Sequence, residues 1–286
     1  MSNEIIYAVA ALGGMGIVFG VLLAVASKYL SVETDERIPQ ITEVLPGANC
    51  GGCGFAGCGA FASAVVEKKA PINGCPVGGN AAAKNIAKIM GVKSTTQIKK
   101  VARVQCMGRP EVAEAKYKYE GISDCLAATK LSGGPKSCEY GCMGLGTCVA
   151  ACQFNAISII RGVAVVDAAK CTACGKCAKA CPKNIIELVP AENTVWVLCS
   201  SHDKGAVVKD KCSVGCIGCK ICEKTCKEKA IKVENCKATI DYTKCTKCGE
   251  CVLKCPKKII LTDIVLKDTV QEEINKYMSE MTKGAY

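Results

Sequence analysis

Residues 5–27, IIYAVAALGGMGIVFGVLLAVAS, run without a charged side chain. As an α-helix this stretch reaches roughly 33–35 Å, enough to cross a hydrocarbon core of about 30 Å. Beyond it the hydrophobic pattern is short and broken. The residues after Gly59 read as a helix up to Lys69, QIKKVARVQC (97–106) reads as a strand, and PEVAEAKYKYEG (110–121) reads as a short helix opening on Pro110. Near the C-terminus Val270, Ile274, Met278 and Met281 recur at helical intervals and predict a closing helix. The 286 residues include only 4 Phe, 8 Tyr and 1 Trp. Small modules whose interiors are filled by something other than side chains fit this better than one large core.

Composition says what that filling is. There are 25 cysteines, a density near that of disulfide scaffolds. Those are short secreted chains, however, and no cleavable signal is seen here: Glu4 precedes the apolar run, and Lys28 and Arg37 follow it. This bias predicts a single-pass anchor in the cell (inner) membrane, with membrane lipid around it and the long C-terminal part in the cytoplasm, where thiols stay reduced. Gly16 and Gly20 form a small-xxx-small pair, suited to close approach of a second helix as well as to plain tolerance of glycine in membranes.

Two segments carry the sharpest signal. CTACGKCAKACP (171–182) and CTKCGECVLKCP (245–256) are both C-x2-C-x2-C-x3-C-P, the ferredoxin-type [4Fe-4S] run in which three thiolates cap one cluster and the fourth reaches a second. Zinc sites tend to pair two C-x2-C knuckles or to use histidine, and His202 is the only histidine. The two runs lie 74 residues apart, and the same offset carries Cys138, Cys142, Cys148 and Cys152 onto Cys212, Cys216, Cys222 and Cys226, and Cys125 onto Cys199. The chain is therefore expected to hold two tandem two-cluster ferredoxin-like modules.

Cross-ligation then groups the thiols. In the first module it expects Cys138, Cys142, Cys148 and Cys181 on one cluster, and Cys171, Cys174, Cys177 and Cys152 on the other. In the second module Cys219 stands opposite Leu145 and gives Cys216, Cys219, Cys222 and Cys255, beside Cys245, Cys248, Cys251 and Cys226. Repeat logic would put Cys212 in place of Cys219, whereas loop spacing favours Cys219. A fifth site follows the membrane helix: Cys50, Cys53, Cys58 and Cys75, in a glycine-rich loop whose backbone can wrap closely and turn N–H groups toward sulfur. Five [4Fe-4S] clusters result. Cys106, Cys125, Cys199, Cys212 and Cys236 are left over; plain packing is the default for each, with a sixth cluster, a redox-active pair or alternative ligation as the other readings.

The formal charge is +11, and residues 200–260 hold fourteen Lys, no Arg and seven acidic residues. Such a surface is either simply solvated or a docking patch for an acidic partner. Nucleic acid is not expected, because arginine and interleaved aromatics are missing there. No dinucleotide fingerprint, P-loop, haem site or nucleophile elbow occurs. No catalytic residue and no substrate-bond chemistry are expected in this chain.

The fold expected is α+β: a transmembrane anchor (1–30), a Gly-rich 4Fe-4S domain (31–90), a linker region (91–130), two ferredoxin-like modules (131–190 and 191–265) and a C-terminal helix (266–286). This order, with NCGGCGFAGCGAFA, CEYGCMGLGTCVAACQFNAI and CTACGKCAKACPKNII, resembles the RnfB family, components of Rnf complexes, membrane-bound ferredoxin:NAD+ oxidoreductases that pump ions. The second module departs from the simpler members and matches the longer ones. The resemblance implies a translocase component that accepts electrons from reduced soluble ferredoxin. Flavins, NAD+ chemistry and Na+ or H+ translocation would belong to other membrane and flavin-bearing subunits. A stand-alone membrane-tethered polyferredoxin is the alternative.

Overall fold

The structure, a computed structural model, describes residues 2–29, 35–94 and 96–262. The closing helix expected over 266–286 lies outside the described residues. Helix α1 (Ser2–Tyr29) contains Val9–Ala26, a window of mean hydropathy 2.4, and is the one helix among the described residues long and apolar enough to cross a membrane. Its large side chains, Leu12, Ile17 and Leu23 among them, are exposed rather than packed on the chain. That is the arrangement expected of a segment whose solvent is lipid.

Three helices follow: α2 (Arg37–Val44), α3 (Cys58–Val66) and α4 (Gly79–Met90). They enclose a small core of Ile41, Phe61, Val65 and Ile86. Gly91, left-handed at φ 66°, ends α4, as glycine does without strain. Strand β1 (Lys100–Val104) forms where the alternation predicted a strand. It leads to α5 (Cys125–Lys130) and the first repeat: α6 (Thr147–Ala150), the hairpin β2 (Ile157–Ile160) and β3 (Val163–Val166), α7 (Lys176–Ala180) and β4 (Ile186–Pro190). The second comprises β5 (Val195–Val197), α8 (Gly205–Lys211), α9 (Ile221–Thr225), β6 (Ile231–Glu234), β7 (Lys237–Ile240), α10 (Glu250–Lys254) and β8 (Ile260–Thr262).

The 74-residue offset holds in the backbone. Both hairpins turn through two left-handed residues, Arg161 (φ 47°) and Gly162 (φ 70°) in one, Asn235 (φ 48°) and Cys236 (φ 61°) in the other, the type I′ geometry that matches strand twist. The last strand of each repeat pairs antiparallel with a strand that precedes its cysteine loops: β4 with β1, Val104 opposite Ile186, and β8 with β5, Val197 opposite Ile260. Trp196 of β5 is 2% exposed and lies under the Arg103 guanidinium of β1, 3.9 Å from its ring centroid. The two halves therefore share a core.

The helix expected at Pro110 does not form. After one turn closed by Ala113 N–H to Arg109 C=O, the backbone extends between the repeats. Glu114 N–H donates to Lys211 C=O of the second (3.0 Å), while Ser137 N–H of the first donates to Glu114 C=O (2.8 Å). Partners on both sides satisfy an extended backbone better than a short isolated helix would, and Ala113 is buried against them.

Loop and hairpin meet closely in the first repeat. Gly144 has φ 72°, and a Cβ there would come within 2.5 Å of Gly162 O. Gly144→Ala is expected to cost roughly 1–3 kcal/mol from the left-handed backbone alone, read as a lower guanidinium midpoint. Gly59→Ala, in α3 with nothing within 4 Å of its added Cβ, should leave the midpoint unchanged or raise it.

Candidate metal centres

All 25 cysteines are free thiols. In each C-x2-C-x2-C loop, left-handed residues (Ala173 and Gly175, Lys247 and Gly249, Gly218 and Lys220) curl the chain around a shared space. Cys152, Cys171, Cys174 and Cys177 line one cavity. Cys226, Cys245, Cys248 and Cys251 line its repeat counterpart. Cys216, Cys219, Cys222 and Cys255 line a third. Of the two alternatives for that third site, Cys219 faces the cavity and Cys212 does not.

Backbone N–H groups point at the sulfurs. Ala156 donates to Cys152 Sγ (3.5 Å) and its counterpart Ala230 to Cys226 Sγ (3.3 Å), while Ala102 of β1 donates to Cys171 Sγ (3.4 Å). Such donors stabilise thiolate and cluster charge. Burial works the other way, raising Cys177 and Cys251 to about 11 and Cys222 to about 12, with neighbouring thiols adding to it. Without metal these thiols are neutral, and metal binding releases protons.

The first repeat departs from the expected grouping. Burial pushes Cys148 up to about 12, and the thiols that add to this are Cys142, Cys125 and Cys181, then Cys177. Cys125 is brought there by a latch: its N–H donates to Thr147 Oγ1 (2.6 Å) at the start of α6, and Thr147 Oγ1 donates to Asp124 Oδ2 (3.0 Å). Asp124 also caps α5 by accepting from Ala127 N–H (2.7 Å). Cys138, expected beside Cys142, Cys148 and Cys181, instead lines a different cavity with Cys106, Cys199 and Cys212. The physical reason is a missing thiol: with Leu145 where the second repeat has Cys219, the loop itself offers only Cys142 and Cys148. Cys125, for which plain packing was the default expectation, thus lies beside Cys148, and the Leu145 position was the signal that a further thiol could approach there. The offset pairing of Cys125 with Cys199 is one of sequence position only, since α5 and α8 do not coincide under it. Cys236 occupies its hairpin turn.

In the glycine-rich region Asn49 Oδ1 accepts from Cys58 N–H (2.8 Å), fixing the start of α3 against the loop. Gly52 N–H reaches Cys50 Sγ (3.5 Å) and Gly78 N–H reaches Cys75 Sγ (3.3 Å). Burial raises Cys75, and the thiols of Cys53 and Cys50 act in the same direction. This loop touches the first repeat: a Cβ on Gly52 would lie 2.9 Å from Cys174 O. Glycine is needed there for the contact.

Among the described residues no group of three or more His, Cys, Asp or Glu draws together around a single metal ion. A lone zinc needs sulfurs at about 2.3 Å from one point. Four thiols spread over a wider cavity, met by N–H donors, fit an inorganic cube.

The comparisons agree with that chemistry. An Fe-S cluster family model matches residues 45–77, a 4Fe-4S binding domain matches 164–187, and a 4Fe-4S dicluster domain matches 215–260. Over 91% of its length the chain is 48% identical to the B component of the ion-translocating oxidoreductase complex of Methanosarcina acetivorans, covering 99% of that protein. The chain belongs to this RnfB family. It is also 48% identical to the B component of a Na+-translocating ferredoxin:NAD+ oxidoreductase complex from Acetobacterium woodii, over 92% of the chain and 80% of the relative. A proton-translocating counterpart from Clostridium ljungdahlii is 41% identical over 96% and 98%. As a family member the chain is an iron-sulfur, electron-transfer subunit of a multi-subunit, membrane-associated complex.

The Asp124 latch is testable in the loaded protein. Asp124→Ala should speed amide hydrogen exchange several-fold in residues 125–130 and 147–150, and leave the counterpart segment 221–225 unchanged.

Proposed function

We propose that the chain relays electrons from a reduced soluble ferredoxin to flavin-bearing and membrane-embedded partner subunits, which reduce NAD+ coupled to Na+ or H+ translocation. Five four-thiol sets would hold [4Fe-4S] clusters. They are Cys50, Cys53, Cys58 and Cys75; Cys125, Cys142, Cys148 and Cys181; Cys152, Cys171, Cys174 and Cys177; Cys216, Cys219, Cys222 and Cys255; and Cys226, Cys245, Cys248 and Cys251. Each cluster, when bound, takes up and releases one electron at a time. The protein's part is to hold the thiols, present N–H donors to the sulfurs and exclude water. The folded repeats act as two-cluster ferredoxin-like modules in the cytoplasm, anchored by α1. Relatives named for sodium and for protons align along nearly the whole chain, so ion choice is assigned to the other subunits.

The observation that carries the direction is exposure. Cys219 and Cys248 are exposed, unlike the other cysteines. Both belong to the lysine-rich second repeat, where Ile221 and Leu253 are also open, Leu253 at 82%. Exposed apolar side chains with lysines beside them in the sequence, Lys220, Lys224 and Lys254, suit an acidic redox partner, whose arrival is steered by charge and whose contact is brief. At the other end Gly52 against Cys174 joins the first repeat to the membrane-proximal thiols. Electrons therefore enter at the second repeat and leave through the Cys50 set.

Replacing Lys220, Lys254 and Lys258 together by Glu should slow reduction by ferredoxin about tenfold or more at low ionic strength. The difference should shrink as salt rises past about 0.15 M. Stopped-flow reduction across a salt series measures this, and equal rates at every salt concentration would remove the docking assignment.

A further inference from the structure

We propose that Cys106, Cys138, Cys199 and Cys212 hold a sixth cluster of the [4Fe-4S] type, at the junction of the two repeats. The inference rests on the iron-sulfur reading of the other five sets and adds to it a site that no family match covers as a unit: Cys106, Cys138, Cys199 and Cys212 all fall outside the matched segments 45–77, 164–187 and 215–260. All four line one cavity, as the thiols of the ferredoxin-type loops line theirs.

The four thiols come in two equivalent pairs. Cys138 and Cys212 correspond through the 74-residue offset. Cys106 and Cys199 correspond through strand pairing: each lies two residues beyond the strand residue, Val104 or Val197, that faces the matched isoleucine, Ile186 or Ile260. The hydrogen bonds repeat too. Gln105 N–H donates to Ile185 C=O (2.7 Å) and Leu198 N–H to Ile259 C=O (2.8 Å). Cys106 and Cys199 then face each other as an isolated antiparallel bridge, which gives the junction a local two-fold character. Duplication has built one site from one pair of thiols per half.

The sulfurs are dressed as in the other sites. Cys106 Sγ accepts from Gly108 N–H (3.3 Å) and from Cys142 N–H (3.3 Å), and Cys199 Sγ accepts from Cys216 N–H (3.3 Å). The last two donors are themselves counterparts and belong to thiols of the flanking sets. A cation waits at the wall: Lys136 is 9% exposed and lines the cavity, its ammonium donating to the carbonyls of Gly108 and Gly162. A buried ammonium is costly unless something negative faces it. A cluster ligated by four thiolates carries net negative charge and supplies that counterpart. At the rim Lys211 pairs with Asp203 at 2.9 Å.

The test is iron and acid-labile sulfide per full-length chain, prepared anaerobically in mild detergent, with Mössbauer spectroscopy to give the share of iron in cubane clusters. About twenty-four irons and twenty-four sulfides are expected for the native sequence. The double variant Cys106→Ser, Cys199→Ser should fall to about twenty of each, whereas Cys236→Ser keeps the native count. About twenty in both native and double variant would overturn the sixth site and leave the five-cluster reading standing. An increment of about two irons over twenty would overturn the cubane assignment. Zinc without sulfide would overturn both readings. If the double variant does not accumulate, the native count and its Mössbauer fraction decide alone.

Discussion

Thiols turned inward on shared cavities are the constraint from which the rest of the structure follows. Cys142, Cys148, Cys171 and Cys177 are buried in the same apolar cluster as Val101, Ile185 and Trp196. Cys216, Cys222 and Cys251 play that part in the second repeat. Core and metal site are thus one object. The strands are three to five residues long and paired only in twos, too little sheet for independent stability. Burial raises Cys148, Cys199 and Cys222 to about 12, so without metal the fold would keep neutral thiols around partly empty space. Filling that space exchanges protons for iron, so loading and folding are thermodynamically linked.

Duplication under this constraint leaves room for divergence at single positions. Cys219 lines the cavity of its own loop, while in the first repeat, where Leu145 stands in its place, Asp124 and Thr147 hold Cys125 beside α6. Cys138 and Cys212, which the 74-residue offset relates, lie instead on one cavity at the junction of the halves, together with Cys106 and Cys199.

The regular runs were legible because a thiol at each fixed spacing encodes both the loop and its partner. Cys152 could be placed with Cys171, Cys174 and Cys177, and the structure brings those four together. The 97–106 strand and the helix after Gly59 were legible from local pattern and backbone freedom. Cys125, Cys106 and Cys138 were not, because their neighbours are set by long-range pairing: β1 finds β4 across some eighty intervening residues, and residues 112–116 find partners in both repeats. The Pro110 segment has helical composition, and what overrides it is the offer of backbone partners on two sides. A side chain's sequence neighbours carried no trace of either.

The contacts between sites make an argument about flow. Electron exchange falls steeply with distance, so a relay works only if each carrier lies close to the next. Gly52 gives the Cys50 set its approach to Cys174. In each repeat the crossed fourth cysteine lies beside the other loop, since Cys181 adds to the burial effect on Cys148 and Cys255 to that on Cys222. At the junction between the repeats Cys142 N–H donates to Cys106 Sγ and Cys216 N–H donates to Cys199 Sγ, and Cys106 and Cys199 face each other. A cluster held there would stand one hydrogen bond from a ligand loop on either side. Without it, electrons landing on the exposed second repeat would have to cross the shared core of Trp196 and Leu198 to reach the first. A junction built from matched thiols, matched N–H donors and a buried lysine is what a relay through two duplicated halves requires.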